Sequence, residues 1–288
     1  MGASAKIAFY GSRRQNEHAA DVRRLAMNLI MEGAAVAMHH KLYDYLTHDV
    51  GLTLPGVERV FDCPADASLA ISLGGDGTLL RTVAWLADAE IPVLGVNTGH
   101  LGYLTALSLA DALAMTSQIV AVDFVAQSLS MLHVEGQDIK GTAYALNEVV
   151  VSKEDSSSMI SAQTYIDGHY LADYKADGLI VATPTGSTAY NLSVGGPIVQ
   201  PSAPVWVVSP IAAHSLNLRP IVVSDSSEIT ITVSGRGERF RLVLDGRASS
   251  HPMGSSVKIR RAERTITVLQ QKGRDFTKVL GDKLLFNG

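Results

Sequence analysis

At 288 residues the chain is long enough for two domains at the usual prior of roughly 150 residues each, and a composition 47% hydrophobic and 18% charged excludes a disordered tail. No apolar run nears the roughly 20 residues that a membrane-spanning helix needs, and a net charge of −4 without a basic stripe among aromatics argues against nucleic acid and membrane as partners. The single cysteine, Cys63, excludes an intrachain disulfide and a thiolate metal cluster within one chain.

In chain order, Lys6 to Tyr10 reads as a strand. The opening MGASAKIAFYGSRR puts that strand before basic residues, the wrong order for a secretory signal, and Lys6 stands where a myristoylation site needs Ser or Thr. Cytoplasm is the expected location. Glu17 to Met31 reads as a helix with Val22, Leu25, Ala26, Leu29 and Ile30 on one side and Gly33 as its stop. A short strand follows at Ala35 to Met38; the adjacent His39 and His40 would face opposite ways on it, and the nine histidines as a set have no metal-binding spacing.

Leu69 to Leu73 is an apolar run that stops at Gly74-Gly75-Asp76-Gly77, and a helix reads from there to about Ala89. Ile91 to Val96 is another strand, followed by the loop Asn97 to Gly102 and a helix around Leu109 to Ile119. Alternating strands and helices predict a parallel α/β sheet, whose ligands sit beyond the carboxyl ends of the strands. Both loops lie at such ends.

From about Phe124 the texture changes to short β-like runs: Leu129 to Val134, Thr142 to Leu146, Val149 to Ser152, Gln163 to Ile166, Tyr170 to Leu171, Leu179 to Ala182, Val205 to Val208, Glu228 to Val233 and Arg239 to Leu244. Asp167-Gly168 marks a hairpin turn. The expectation is an α/β domain over residues 1–124 and a mainly antiparallel β-rich domain over 125–266.

Four places carry chemistry. The GGDG turn offers glycine backbone and free N–H groups at a helix start, which suit a phosphate. Its Asp76 would repel an anion unless it holds a metal ion or takes a proton; the plain alternative is a helix cap or turn residue. Asn147-Glu148 interrupts an apolar strand pattern, as a ligand-binding pair or as a strand irregularity. Ala176 to Pro197 opens from a strand into a long loop rich in Thr, Ser, Gly and Asn, able to bond a sugar and phosphate, with Tyr190 able to pack on a base. Leu244-Asp245-Gly246-Arg247 is explained by hairpin chemistry alone. There is no Walker A, GxGxxG or GxSxG pattern.

GGDGTLLRT, the Asn-Glu pair about 70 residues later, DGLIVATPTGSTAYN with GGP after it, RPIVV and LDG together resemble the NAD kinase family along nearly the whole chain. GGDG alone is shared with lipid kinases and phosphofructokinases; the later blocks are specific. The resemblance implies transfer of the terminal phosphoryl group of ATP, or of polyphosphate, to the 2′-hydroxyl of the adenosine ribose of NAD. It also implies a divalent metal such as magnesium, a homo-oligomer, and a last segment, 267–288, that returns to the first domain.

By the same resemblance Asp76 is the catalytic base, Gly77 supplies close backbone, and Arg81 turns toward the ligand. Asn147 and Glu148 hold the adenosine portion. Lys175 and Asp177 precede the nucleotide loop, Asp177 reaching the nicotinamide end partly across a subunit boundary. Thr185, Thr188, Ala189, Tyr190, Asn191 and Ser193 line the NAD pocket, and Ala212 and Arg247 are later contacts. Metal ligands are not specified. The rival readings are a diacylglycerol-type lipid kinase and a noncatalytic sensor of NAD or NADP.

Overall fold

The structure is a computed structural model that describes residues 5–12, 16–99, 102–136, 139, 143–154, 158–273 and 275–284. The expected strand residue Thr142, the loop residues His100 and Leu101, and residues 285–288 of the expected returning segment lie outside that set. The chain divides into two compact units, Met1–Ser128 with Ile266–Gly288, and Leu129–Thr265.

In the first unit the order is β1 (Lys6–Gly11), α1 (Ala19–Met31), β2 (Ala35–His39), α2 (His40–Asp44), β3 (Val57–Val60), β4 (Leu69–Leu73), α3 (Asp76–Trp85), β5 (Val93–Asn97), β6 (Leu107–Ser108), α4 (Leu109–Ala114) and α5 (Thr116–Ala121). The strands lie β3-β2-β1-β4-β5 and all pairs are parallel. Chain order reverses between β1 and β4, the switch point at which such sheets take ligands, and GGDG follows β4 there. All five residues of β4 are buried, as its unbroken apolar run demands. The stripe Val22, Leu25, Ala26 and Leu29 seats α1 on the sheet, each buried Val or Leu contributing about 1.5–3 kcal/mol. Gly33, at φ +90°, ends that helix as expected.

Three readings needed revision here, and two elements were not anticipated. α3 ends at Trp85 and not near Ala89, because Ala87 adopts a left-handed φ of +49°. The expected helix over Leu109 to Ile119 is two, broken at Met115. His39 and His40 do not face opposite ways: a helix starts at His40, strand alternation stops, and the two rings lie 4.5 Å apart. Helix α2, which runs on into a wide turn at Tyr45–Asp49, and strand β3 had no distinct periodicity to announce them.

The second unit is antiparallel, as expected. Its strands are β7 (Val125–Gly136), which begins in the first unit, β8 (Tyr144–Ala145), β9 (Glu148–Lys153), β10 (Ile160–Ile166), β11 (His169–Ala176) and β12 (Gly178–Ala182). A short helix, α6 (Tyr190–Ser193), precedes β13 (Val205–Ile211), β14 (Ile221–Ser224), β15 (Ile229–Gly235), β16 (Arg239–Leu244), β17 (Arg247–Pro252) and β18 (Ser256–Gln270). One sheet runs β14-β13-β12-β9-β16-β17; β11, β10, β15 and the first part of β18 pair in a second.

Alternate residues from the two sheets, Val149, Val151, Leu179, Val181, Trp206 and Leu242 with Ile160, Ile229, Ile231 and Ile259, form one core. β9 and β12 are covered on their other face too, where Val150, Ile180 and Ala182 meet Val194 and Val199 of the polar segment. That second cover explains why Leu179 to Ala182 reads as a continuous apolar run.

The end of β18 belongs to the first unit, Val268 and Leu269 pairing parallel with Val93 and Leu94, and α7 (Phe276–Leu284) follows. Cys63 is half-buried, and burial pushes its thiol up to about 11, which disfavours the thiolate.

Candidate active site

In the first unit the site is the turn from β4 into α3. Gly74 takes φ +142°, and a side chain there would crowd Thr78 at 2.5 Å. Gly75 caps α3 in an extended conformation. Gly75 and Gly77 are exposed with open space where a Cβ would stand, so an anion can approach the first turn of the helix.

Asp76 points the other way from a free cap. Its Oδ2 accepts the backbone N–H of Tyr103 at 2.8 Å and its Oδ1 that of Leu104 at 3.1 Å. Each oxygen keeps a further acceptor position. A Cβ at Gly102 would overlap the carboxylate. The loop after β5 is thus a brace for Asp76, itself tied by Thr105, which accepts from the Gly102 N–H at 2.8 Å and from Asn97 Nδ2 at 3.2 Å. One turn along α3, Arg81 donates to Thr78 Oγ1 at 3.0 Å and bonds the Tyr10 hydroxyl, whose pKa burial raises against the opposing pull of the guanidinium.

In the second unit Asn147 and Glu148 stand where β9 begins. Asn147 is buried; its Oδ1 and Glu148 Oε2 are enclosed without a hydrogen-bond partner among the described residues. Burial first, and then the charge of Asp245, push the Glu148 carboxyl up to about 7, against one hydrogen bond from the Tyr190 N–H. Asp245, at φ +47° in the hairpin between β16 and β17, aims its carboxylate at the same turn. Oδ2 accepts the N–H of Leu146 at 2.6 Å, and Oδ1 those of Asn147 at 2.9 Å and Glu148 at 3.1 Å. Its own pKa is raised by burial in spite of those three bonds and of Arg247.

From the opposite side Thr183 donates its hydroxyl to the Leu146 carbonyl at 2.6 Å and its N–H to the Asn147 carbonyl at 2.8 Å. A Cβ on Gly186 would overlap the Asn147 backbone.

The segment expected as a long loop is folded into a 3-10 turn, Thr185–Thr188, and α6. Thr185 is buried, Thr188 and Ala189 are half-buried, and Tyr190 and Ser193 are exposed, Tyr190 by 43%. Asn191 is turned into the fold. It is fully buried, with Nδ2 on the carbonyls of Ser187 and Pro197 at 3.1 Å each and Oδ1 accepting from Ser209 at 2.7 Å, so it braces the segment. Arg247 is likewise turned to backbone, its guanidinium donating to the carbonyls of Tyr144 and Leu244.

Lys175, Asp177 and Ala212 do not join this group. Lys175 and Asp177 precede β12, whose Ala182 end registers with Glu148, while its Gly178 end registers with Ser152. At the usual rise of a strand, Asp177 is about 20 Å from Thr183. There the Asp177 carboxylate pairs with Lys153 at 2.7 Å, and Ala212 turns the chain at φ +47°. Sequence reasoning missed Thr105, Thr183 and Asp245, the residues that brace the expected ones; Asp245 was legible as a turn and nothing in the sequence tied it to a strand nearly 100 residues earlier.

Residues 16–124 match the family model described as ATP-NAD kinase N-terminal domain and residues 146–270 that of the ATP-NAD kinase C-terminal domain. The NAD kinase of Porphyromonas gingivalis is 39% identical over 282 residues, 98% of each chain. The chain belongs to the NAD kinase family. The NAD kinase of Bacteroides fragilis is 36% identical over 283 residues, again 98% of each chain. Among solved structures, yeast NADH kinase complexed with NADH superposes at a TM-score of 0.87 with 22% identity, covering 99% of this chain and 89% of that one. An NAD kinase from Archaeoglobus fulgidus in complex with ATP gives 0.74 with 24% identity, covering 96% and 97%. At those identities the likeness is one of fold. The family's reaction makes this chain a kinase that uses NAD as acceptor, and the lipid-kinase and sensor alternatives are not favoured. No described helix is long and apolar enough to cross a membrane.

Proposed function

We propose that the enzyme moves the terminal phosphoryl group of ATP to the 2′-hydroxyl of the adenosine ribose of NAD, giving NADP, with Asp76 as the base that receives the hydroxyl proton. The observation that carries this role is the fixed carboxylate: two backbone N–H groups orient Asp76 at the start of α3 and leave acceptor capacity on both oxygens. In phosphoryl transfer most of the acceleration comes from positioning and charge neutralisation, so an ordinary carboxylate suffices as base. The open backbone at Gly75 and Gly77 suits the phosphates, with Arg81 as the nearby cation. Asn147, Glu148, Thr185, Thr188, Ala189, Ser193 and the exposed ring of Tyr190 serve the nucleotide acceptor.

Among the described residues no three His, Cys, Asp or Glu gather as a metal site. Magnesium is usually carried on the phosphates of ATP with one or two carboxylates, and Asp76, with acceptor capacity left on both oxygens, is the carboxylate that would hold it. When bound, the ion would neutralise charge on the transferred group. The separation of Asp177, Lys175 and Ala212 from Glu148 supports a homo-oligomer in which these residues serve a neighbouring subunit's nucleotide.

The test is incubation of the purified protein with NAD, ATP and magnesium, with NADP followed by an NADP-specific dehydrogenase. Wild type should form NADP, with polyphosphate as a second donor to compare. Asp76→Asn should lower turnover by roughly 100-fold or more, the scale of a lost acid–base group, while NAD still binds. Near-normal turnover in that variant would remove Asp76 from the chemistry.

A further inference from the structure

We infer that Asp245 is a positioning residue for the nucleotide acceptor: its carboxylate, clamping the backbone of Leu146, Asn147 and Glu148 against Thr183, sets where the Asn147 and Glu148 side chains stand. The inference rests on the proposed role of that pair and adds to it a residue that touches neither substrate.

Three features separate this clamp from an ordinary hairpin turn. A hairpin Asp usually bonds within its own turn, whereas Asp245 spends both oxygens on three consecutive N–H groups of a distant segment, at 2.6, 2.9 and 3.1 Å. Leu146 and Asn147 lead into β9 and Glu148 is its first residue, so the carboxylate supplies the acceptors for the N–H groups at the entry to the strand. The opposite side of the same peptides is closed by Thr183, through its hydroxyl and its N–H, and by the bare backbone of Gly186, where a Cβ would overlap Asn147. The turn is therefore fixed from both sides, while Asn147 Oδ1 and Glu148 Oε2, the groups it presents, are left without partners among the described residues.

Two acceptor oxygens are needed, and an amide offers one. Asp245→Asn sets an NH2 group against at least one of the three N–H donors, so it should shift the turn without changing side-chain volume. The charged groups facing the pair are Asp245 and Arg247 from the hairpin; the Tyr190 N–H comes from α6.

The experiment measures KM for NAD, KM for ATP, kcat, and direct NAD affinity for wild type, Asp245→Asn, Glu148→Gln and the double variant, with the oligomer and thermal midpoint checked in each. Asp245→Asn should raise KM and Kd for NAD about 10- to 100-fold, the scale of losing a charged hydrogen bond, with KM for ATP within about twofold of wild type by that same scale. The double variant should lose less than the product of the two single losses, since both act through one turn. An Asp245→Asn enzyme with unchanged NAD affinity, or strictly multiplicative losses, would overturn the inference.

If Glu148→Gln and Asn147→Ala both bind NAD normally, it is the reading of the pair that fails. Should Asp245→Asn not fold, amide exchange in the wild type decides. The N–H groups of residues 146–148 should be protected without NAD; rapid exchange that only NAD suppresses would refute a preformed clamp.

Discussion

The two units use one device in opposite senses. In the first, the carboxylate of Asp76 is the proposed base and the backbone N–H groups of Tyr103 and Leu104 are its brace. In the second, the carboxylate of Asp245 is the brace and the N–H groups belong to Asn147 and Glu148, the pair proposed to hold the nucleotide. The consequence shows in the spare capacity of each acid. Asp76 gives each oxygen one bond and is half-buried, so it can still meet a hydroxyl. Asp245 takes three, is buried enough that its pKa is raised despite them, and faces Glu148 rather than solvent. A held carboxylate keeps its chemistry; a holding one gives it up.

The comparison is broken most severely at Gly102. A methyl there overlaps the Asp76 carboxylate and drives it off its two amides. Gly102→Ala should lower kcat about 100-fold, the cost of a misplacement near 1 Å, while NAD affinity stays within about twofold because the acceptor's contacts are elsewhere. Steady-state kinetics with separately measured NAD binding check both halves of the statement. A variant with wild-type kcat would mean that the orientation given by Tyr103 and Leu104 does not matter.

The complementary break lies in the second unit. Asn147→Ala removes a buried carboxamide and should weaken NAD binding by about 1–3 kcal/mol, the range for groups left unpaired. Gly186→Ala, which presses on the Asn147 backbone, should act in the same direction. In both, kcat at saturating NAD should fall far less than in Gly102→Ala. Calorimetric titration with NAD measures the loss; unchanged affinity in Asn147→Ala would count against the assignment of the pair.

These two tests also mark what could be read from the sequence. β4 and α3 announce themselves by a buried run and a helical stripe, and GGDG falls between them, so Asp76 was legible with its element. Asn147 and Glu148 were legible as an interruption of apolar residues. Their braces were not, because hydrogen bonds from Tyr103 to Asp76 and from Leu146 to Asp245 join segments 27 and 99 residues apart. Local periodicity carries no record of such pairings. Asn191 shows the converse: the family resemblance put it in the NAD pocket, while its side chain bonds to Ser187, Pro197 and Ser209 inside the fold. Polar residues near a site divide into those that meet the ligand and those that hold the loop, and composition treats both alike. The split of one expected helix at Met115 and the early end of α3 at Ala87 are likewise backbone events that side-chain spacing does not register.

The smallest expected effect is a pH dependence, and it reads the burial of Glu148 and, after it, the contact with Asp245. Folding moves Glu148 from 4.5 to about 7, so the native state holds a proton that the unfolded chain releases. The stability tied to that proton is complete below 4.5 and is lost as pH rises to about 7. Asp245, also raised, acts in the same direction. His39 acts oppositely: burial lowers it from 6.5 to about 4, so its contribution is present above 6.5 and is lost as pH falls through about 4.

The raw midpoint of unfolding therefore mixes terms of both signs, and the informative quantity is the difference between wild type and Glu148→Gln, in which His39 cancels. That difference should move in favour of Glu148→Gln as pH rises from 4.5 to 7 and then level off, measured by thermal unfolding without nucleotide. A difference flat across that range would show that folding leaves the Glu148 carboxyl as it is in the unfolded chain, raised neither by burial nor by the neighbouring Asp245.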